Sequence, residues 1–203
     1  MDNDISFASQ YLDEAKAIID LIDLEPIEEM TLLLRKLRDQ GGRLFLVGVG
    51  GGAGHASHAV NDFRKIAGIE SYAPSDNASE LTARTNDEGW ETTYEAWLKV
   101  SRLSEVDMLF VFSVGGGDLE RNISSNIVRA VSHAKEVGAS VIGVVGRDGG
   151  YTASVADACV VVPTVNPAMV TPHTESFQAL VWHLLVSDSR LQIMSNKWES
   201  SDG

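Results

Sequence analysis

Residues Leu44-Phe45-Leu46-Val47 form an unbroken apolar run, the pattern of a strand covered on both faces rather than the alternation of a half-exposed one. The pattern returns at Asp107 to Phe112, at Ser140 to Val145 and at Ala158 to Val162, which Pro163 ends. A shorter run, Glu70 to Ala73, predicts a brief fifth strand before the turn residues Pro74 to Asn77. Elsewhere the apolar period lengthens. Tyr11, Leu12, Ala15, Ile18, Ile19 and Ile22 predict a helix over Ile5 to Leu24; Pro26 interrupts, and a second helix is predicted from Ile27 to Gln40, stopped by Gly41-Gly42. Further helices are predicted from Ala53, over Ser79 to Leu103 with a break at Asn86-Asp87-Glu88-Gly89, from a cap at Asp118 or Ser124 to Val137, and from Thr171 to Val186. The C-terminus after Lys197 is expected to fray.

Strands alternating with helices imply an α/β fold: a three-layer αβα sandwich around a mainly parallel, about five-stranded sheet, with two leading helices. The 203 residues suit one domain, with 1–42 as a helical pair whose outer faces are free for another subunit and 43–195 as the α/β core.

Ligands of such folds bind at the carboxyl ends of the strands. Three strands here end in glycine: Gly48-Val49-Gly50-Gly51-Gly52, Ser113-Val114-Gly115-Gly116-Gly117-Asp118 and Gly146-Arg147-Asp148-Gly149-Gly150. The first, leading into a helix, makes an anion-binding corner. Neither of the first two loops fits a dinucleotide fingerprint and no Walker lysine follows, so no nucleotide cofactor is expected.

A net charge of −13, from 16 basic and 29 acidic residues, opposes nucleic acid or an anionic membrane as partner. A small phosphorylated ligand remains compatible, held by local amides and an arginine such as Arg84, Arg121 or Arg147. The single cysteine, Cys159, lies in an apolar run and reads as a small buried hydrophobe rather than a nucleophile. No signal-like segment or membrane-spanning run is visible, so a cytoplasmic location is expected.

His58 and Asp62 are an i, i+4 pair on one helix face, and the last predicted helix carries Glu175 and His183. Two imidazoles and two carboxylates suit a divalent ion such as zinc, or acid and base work next to a carbonyl. Eight helical residues separate Glu175 from His183 by about 12 Å of rise. A shared ion therefore needs Glu175 in the preceding loop or a ligand from another subunit, with His173 as a substitute. Asn86-Asp87 reads either as a plain helix–helix turn or as polar groups reaching a ligand.

In that order, GVGGG with His58 and Asp62, Asn86-Asp87, SVGGGD, GRDGG and the helix with Glu175 and His183, the chain resembles the sugar isomerase (SIS) domain family, and within it the sedoheptulose-7-phosphate (phosphoheptose) isomerases. The resemblance covers nearly the whole chain. It implies a Rossmann-like SIS fold, a homotetramer built partly by the leading helices, and a zinc-dependent aldose–ketose isomerase acting on a sugar phosphate, foremost sedoheptulose 7-phosphate. It further implies Asp62 as base and His183 as acid, a metal held by His58, Asp62, Glu175 and His183, and substrate contacts from Gly50, Gly51, Gly52, Asn86, Asp87, Ser113, Gly115, Gly116, Gly117, Asp118 and Glu175.

The family's asparagine and serine in the first loop fall on Val49 and Gly52, its helix glutamate on Asp62, its terminal-helix glutamine on Glu175, and its phosphate loop STSGNS on SVGGGD, which keeps only Ser113 among the hydroxyls. Two other readings stand beside the first: a non-catalytic, sugar-phosphate-sensing or partner-binding SIS tetramer, and an isomerase or epimerase of another sugar.

Overall fold

The structure, a computed structural model, describes residues 6–194. The expected fraying after Lys197 and the start of the first helix at Ile5 lie outside the described residues.

Two helices lead, α1 (Phe7–Leu21) and α2 (Glu25–Asp39). Pro26 does not separate them as the sequence pattern suggests. It sits in the first turn of α2, where its missing N–H is no loss. Then follow β1 (Leu44–Gly48), α3 (Gly51–Lys65), β2 (Ser71–Tyr72), α4 (Ala78–Asp87), α5 (Thr93–Val100), β3 (Met108–Ser113), α6 (Ser125–Glu136), β4 (Ser140–Val145), α7 (Gly150–Val155), β5 (Ala158–Val161) and α8 (Val170–Ser187). The five strands are all parallel, in the order β2-β1-β3-β4-β5. Among the described residues no helix is long and apolar enough to cross a membrane.

The continuous apolar strands are covered on both faces, as their sequence demands. Leu44, Leu46, Met108, Phe110, Phe112, Ile142 and Val144 pack with α1, α2, α3 and α8; Phe45, Val47, Leu109, Val111 and Val141 pack with α5 and α6 on the opposite face. The alternation follows from the two-residue period of a strand. Arg43 and Asp107 pin the bottom of the sheet. The Asp107 carboxylate accepts from the Arg43 backbone N–H, Nε and Nη2 and from the Ser104 N–H and hydroxyl. The opposite, carboxyl end carries the three glycine loops.

α1 is docked by polar contacts as well as apolar ones. Glu14 accepts from His173 Nε2 at 2.8 Å and from Asn166 Nδ2 at 2.7 Å, while the Tyr11 ring stacks on His173 with centroids 4.4 Å apart. The hydrogen bond from His173 is the main reason the Glu14 carboxyl lies below its ordinary range. His173, a substitute metal ligand on sequence grounds, is thus a buried joint between α1 and α8.

Candidate functional site

The first glycine loop is shaped by what touches it. Gly50 adopts φ 58°, ψ −121°, a region that glycine alone enters readily, and α3 starts at Gly51, two residues before the Ala53 start read from the pattern. A Cβ on Gly52 would lie 2.5 Å from the Phe112 carbonyl oxygen, so the helix begins flush against β3. At Gly51 the neighbour is chemical: an added Cβ would meet Oε2, Cδ and Oε1 of Glu175 at 2.4, 2.5 and 2.6 Å. The Glu175 carboxylate therefore rests on the bare backbone at the start of α3.

About two and three turns further along α3, His58 and Asp62 face α8 and meet His183. One ligand atom from each of these three lies within 4.8 Å of the others. His58 Nε2 is 3.9 Å from Asp62 Oδ2, and the His58 and His183 rings cross at 89° with centroids 5.6 Å apart. Asp62 is 7% exposed and its Oδ1 accepts from Asn61 Nδ2 at 2.8 Å, which leaves Oδ2 facing the histidines. His183 Nδ1 lies 2.7 Å from the Ala179 carbonyl oxygen. A carbonyl only accepts, so Nδ1 carries the proton and Nε2 keeps its lone pair for a ligand. Trp182 walls the group, its ring 4.7 Å from that of His58.

Glu175 is not part of this trio among the described residues, in keeping with the helical rise that separates it from His183. It has a different neighbour, which the sequence reading passed over: His55, one turn beyond Gly51 on the same face of α3. Burial lowers the pKa of His55, the nearby Glu175 charge works in the opposite direction, and His58 and His183 add to the lowering. The i, i+4 spacing from Gly51 becomes a signal only once Glu175 is seen to rest on that glycine.

The second and third glycine loops pack on each other. A Cβ on Gly116 would lie 1.9 Å from the Gly149 carbonyl oxygen, and one on Gly150 would lie 2.2 Å from that of Gly115. Part of their glycine content is therefore a requirement of backbone contact rather than of a ligand. Beside them opens a cleft of about 810 Å³ lined by Ser113, Gly115, Gly117, Asp118, Arg121 and Arg147 among others, reaching Val49 at one end and Thr171 at the head of α8. Val49 adjoins the Gly50-Gly51 corner and Thr171 lies one turn before Glu175, so the Glu175–Gly51 contact stands between the cleft and the His58–Asp62–His183 trio.

Two expectations about this region need correction. α6 starts at Ser125, so of the two expected caps Ser124, not Asp118, holds the N-cap position; it is left-handed, with φ 50°, and its side chain makes no capping hydrogen bond. Asp118 instead pairs with Ile123 across a small hairpin, and its Oδ1 accepts from the N–H groups of Glu120 and Arg121 at 2.9 Å each. The break at Asn86 to Gly89 also falls later than expected. Asn86 and Asp87 end α4, bonded to each other at 2.6 Å, and line neither the cleft nor the trio within this chain. Of the three candidate arginines, Arg84 is held between Glu80 and Glu88, whereas Arg121 and Arg147 reach the cleft. The Cys159 thiol is only half-buried by area, yet desolvation pushes its pKa up to about 12, which leaves it inert.

The SIS domain model matches residues 10–146. The chain belongs to the SIS domain family. It is 31% identical over 150 residues to the phosphoheptose isomerase of Rhodospirillum rubrum, covering 71% of this chain and 74% of that one. It is 36% identical over 155 residues to the lincomycin biosynthesis protein LmbN of Streptomyces lincolnensis, a match that spans 71% of this chain and only about half, 54%, of LmbN. The solved phosphoheptose isomerase GmhA from Neisseria gonorrhoeae superposes with a TM-score of 0.76 at 25% identity, over 88% of this chain and 94% of that one. The SIS match ends before α8. Glu175 and His183 are thus tied to the site by their placement against α3.

Proposed function

We propose that this SIS protein is an aldose–ketose isomerase of a sugar phosphate, with sedoheptulose 7-phosphate as the foremost substrate and a divalent ion, zinc first, as its cofactor. The observation that carries the reading is the meeting of His58, Asp62 and His183 between α3 and α8, two helices that also bring Glu175 onto Gly51 nearer the glycine loops. Similarity to phosphoheptose isomerases supports the reaction class.

The trio suits a metal by its chemistry. Two imidazoles and a carboxylate are borderline ligands suited to zinc, and a His183 Nε2 left free by the Ala179 hydrogen bond is in the ligating tautomer. Separations up to 4.8 Å exceed the roughly 3.4 Å edge of a tetrahedron with bonds of about 2.1 Å, so the exposed His58 side chain would close in by rotation. A divalent ion held there supplies Lewis-acid polarisation of the substrate oxygens.

The two carboxylates divide the remaining work. Asp62, buried and already tied to Asn61, belongs to the donor set; Glu175, outside it and nearer the cleft, takes a proton from the carbon beside the sugar carbonyl. Glu175 exchanges that proton with solvent and protonates the resulting enediol on the neighbouring carbon, while a proton passes between the two oxygens with an imidazole of the site as relay. Asp62 as base, expected from the family, gives way to Glu175 on this reading. The test is incubation of metal-loaded protein with sedoheptulose 7-phosphate; absence of interconversion with the aldose would refute it.

Association is part of the proposal. Phe7, Leu12, Ile19, Leu21 and Leu32 on the leading helices, and Leu24 between them, are more than half exposed, and Leu180 and Leu184 flank His183 on the open face of α8. A homotetramer that covers these faces would also enclose the trio.

A further inference from the structure

Granting that the substrate is a sugar phosphate, we propose that its phosphate is selected by Arg147 together with the amides of the Gly115–Gly117 loop, replacing the hydroxyls that this loop lacks. Three observations converge on the same point.

The loop has turned its carbonyls away from the cleft. Val114 O accepts from Gly146 N–H, Gly116 O from the Thr152 N–H and hydroxyl, and Gly117 O from Tyr151 N–H. The amides on the other side are free: among the described residues, Gly115 and Gly117 N–H donate to no group, and only Gly116 N–H is used, on Ser113 Oγ. With Gly116 and Gly117 at φ 66° and 81°, the segment is a concave amide nest of the kind that takes a phosphate.

Arg147 is held over this nest. Its backbone is left-handed, at φ 54°, a conformation unfavourable for residues with a Cβ other than asparagine and aspartate, and its side-chain stem comes to 3.7 Å from the Cβ position of Gly115. Among the described residues it makes no ion pair, although Asp118, Glu120 and Asp148 line the same cleft. Asp118 is occupied by the Glu120 and Arg121 amides, with Arg121 Nε 3.8 Å from its Oδ2, and Asp148 Oδ1 accepts from Gly150 N–H. An unneutralised guanidinium at a strained position, in a chain of net charge −13, is the cation available to an anion there.

Those carboxylates decide the selectivity. They repel an anion that meets only the nest, so the phosphate gains from the cleft chiefly through Arg147, while a sugar without phosphate loses nothing when the arginine is removed. The test compares wild-type protein with R147N, since asparagine tolerates the left-handed backbone, with R147K, and with R84N as a control outside the cleft. KM and kcat are measured for sedoheptulose 7-phosphate, and binding of inorganic phosphate is titrated separately by calorimetry. The expected result is a KM raised at least tenfold in R147N with kcat changed less than threefold, partial recovery in R147K, no change in R84N, and loss of phosphate binding in R147N alone. A KM within twofold of wild type overturns the assignment and leaves the isomerase reading intact. If wild-type protein turns over no sugar phosphate, the isomerase reading falls, and the titration still decides: phosphate bound by wild type and not by R147N upholds the subsite, whereas equal binding, or none by wild type, overturns it.

Discussion

G51A separates catalytic geometry from fold. The new Cβ would stand 2.4 to 2.6 Å from the Glu175 carboxylate, where ordinary contact needs well over 3 Å, so the carboxylate must retreat by about 1 Å. A misplacement of that size costs on the order of 100-fold in rate, about 2.7 kcal/mol at 1.36 kcal/mol per decade. Gly51 is the first residue of α3 and its φ is not left-handed. Alanine there improves helix propensity by up to about 1 kcal/mol. Stability should hold or rise while kcat falls about 100-fold, read by thermal melting and a coupled assay on sedoheptulose 7-phosphate. Because both changes act on one carboxylate, G51A added to E175Q should cost little beyond E175Q alone. Full activity in a folded G51A would show that Glu175 does not act from its position on Gly51.

Other outcomes follow from the same contacts. D107N should destabilise by about 3 kcal/mol, the low end for breaking a buried pair because Arg43 is 28% exposed, and denaturant melts would measure it. Desolvation alone would raise the Asp107 pKa, but the bonds from Arg43 and Ser104 outweigh it and hold it below the ordinary value near 3.8. Its stabilisation is therefore complete above that value and lost as pH falls through the lower folded one, so D107N should flatten stability only at the acid limb. E14A should lower the melting temperature by freeing α1 from His173 and Asn166, without changing the metal content of the folded protein. L12E with I19E should shift sedimentation toward smaller species; an unchanged assembly would place the interface elsewhere.

The strands were legible because burial on both faces writes itself as uninterrupted apolar runs; Ser140–Val145 was read to the residue. The helix starts were not, since Gly51 and Gly52 look like loop and are helical only because β3 and Glu175 press against them. The His58–Asp62 pair was local and visible, while the arrival of His183 depended on how α8 packs on α3. The glycine loops were seen as ligand loops, yet the contact of Gly116 with Gly149 is a long-range fact that no single loop reveals. His55 was passed over because its partner, Glu175, is distant in the chain.

The central claim is that the groups joining α3 to α8 move a proton between neighbouring carbons of a sugar phosphate. Proton NMR of sedoheptulose 7-phosphate with zinc-loaded protein in deuterated water tests it most directly. The account predicts interconversion with the aldose and solvent deuterium appearing at C2, both abolished by H183A and by chelation. Interconversion without deuterium at C2, or undiminished in H183A, would contradict it.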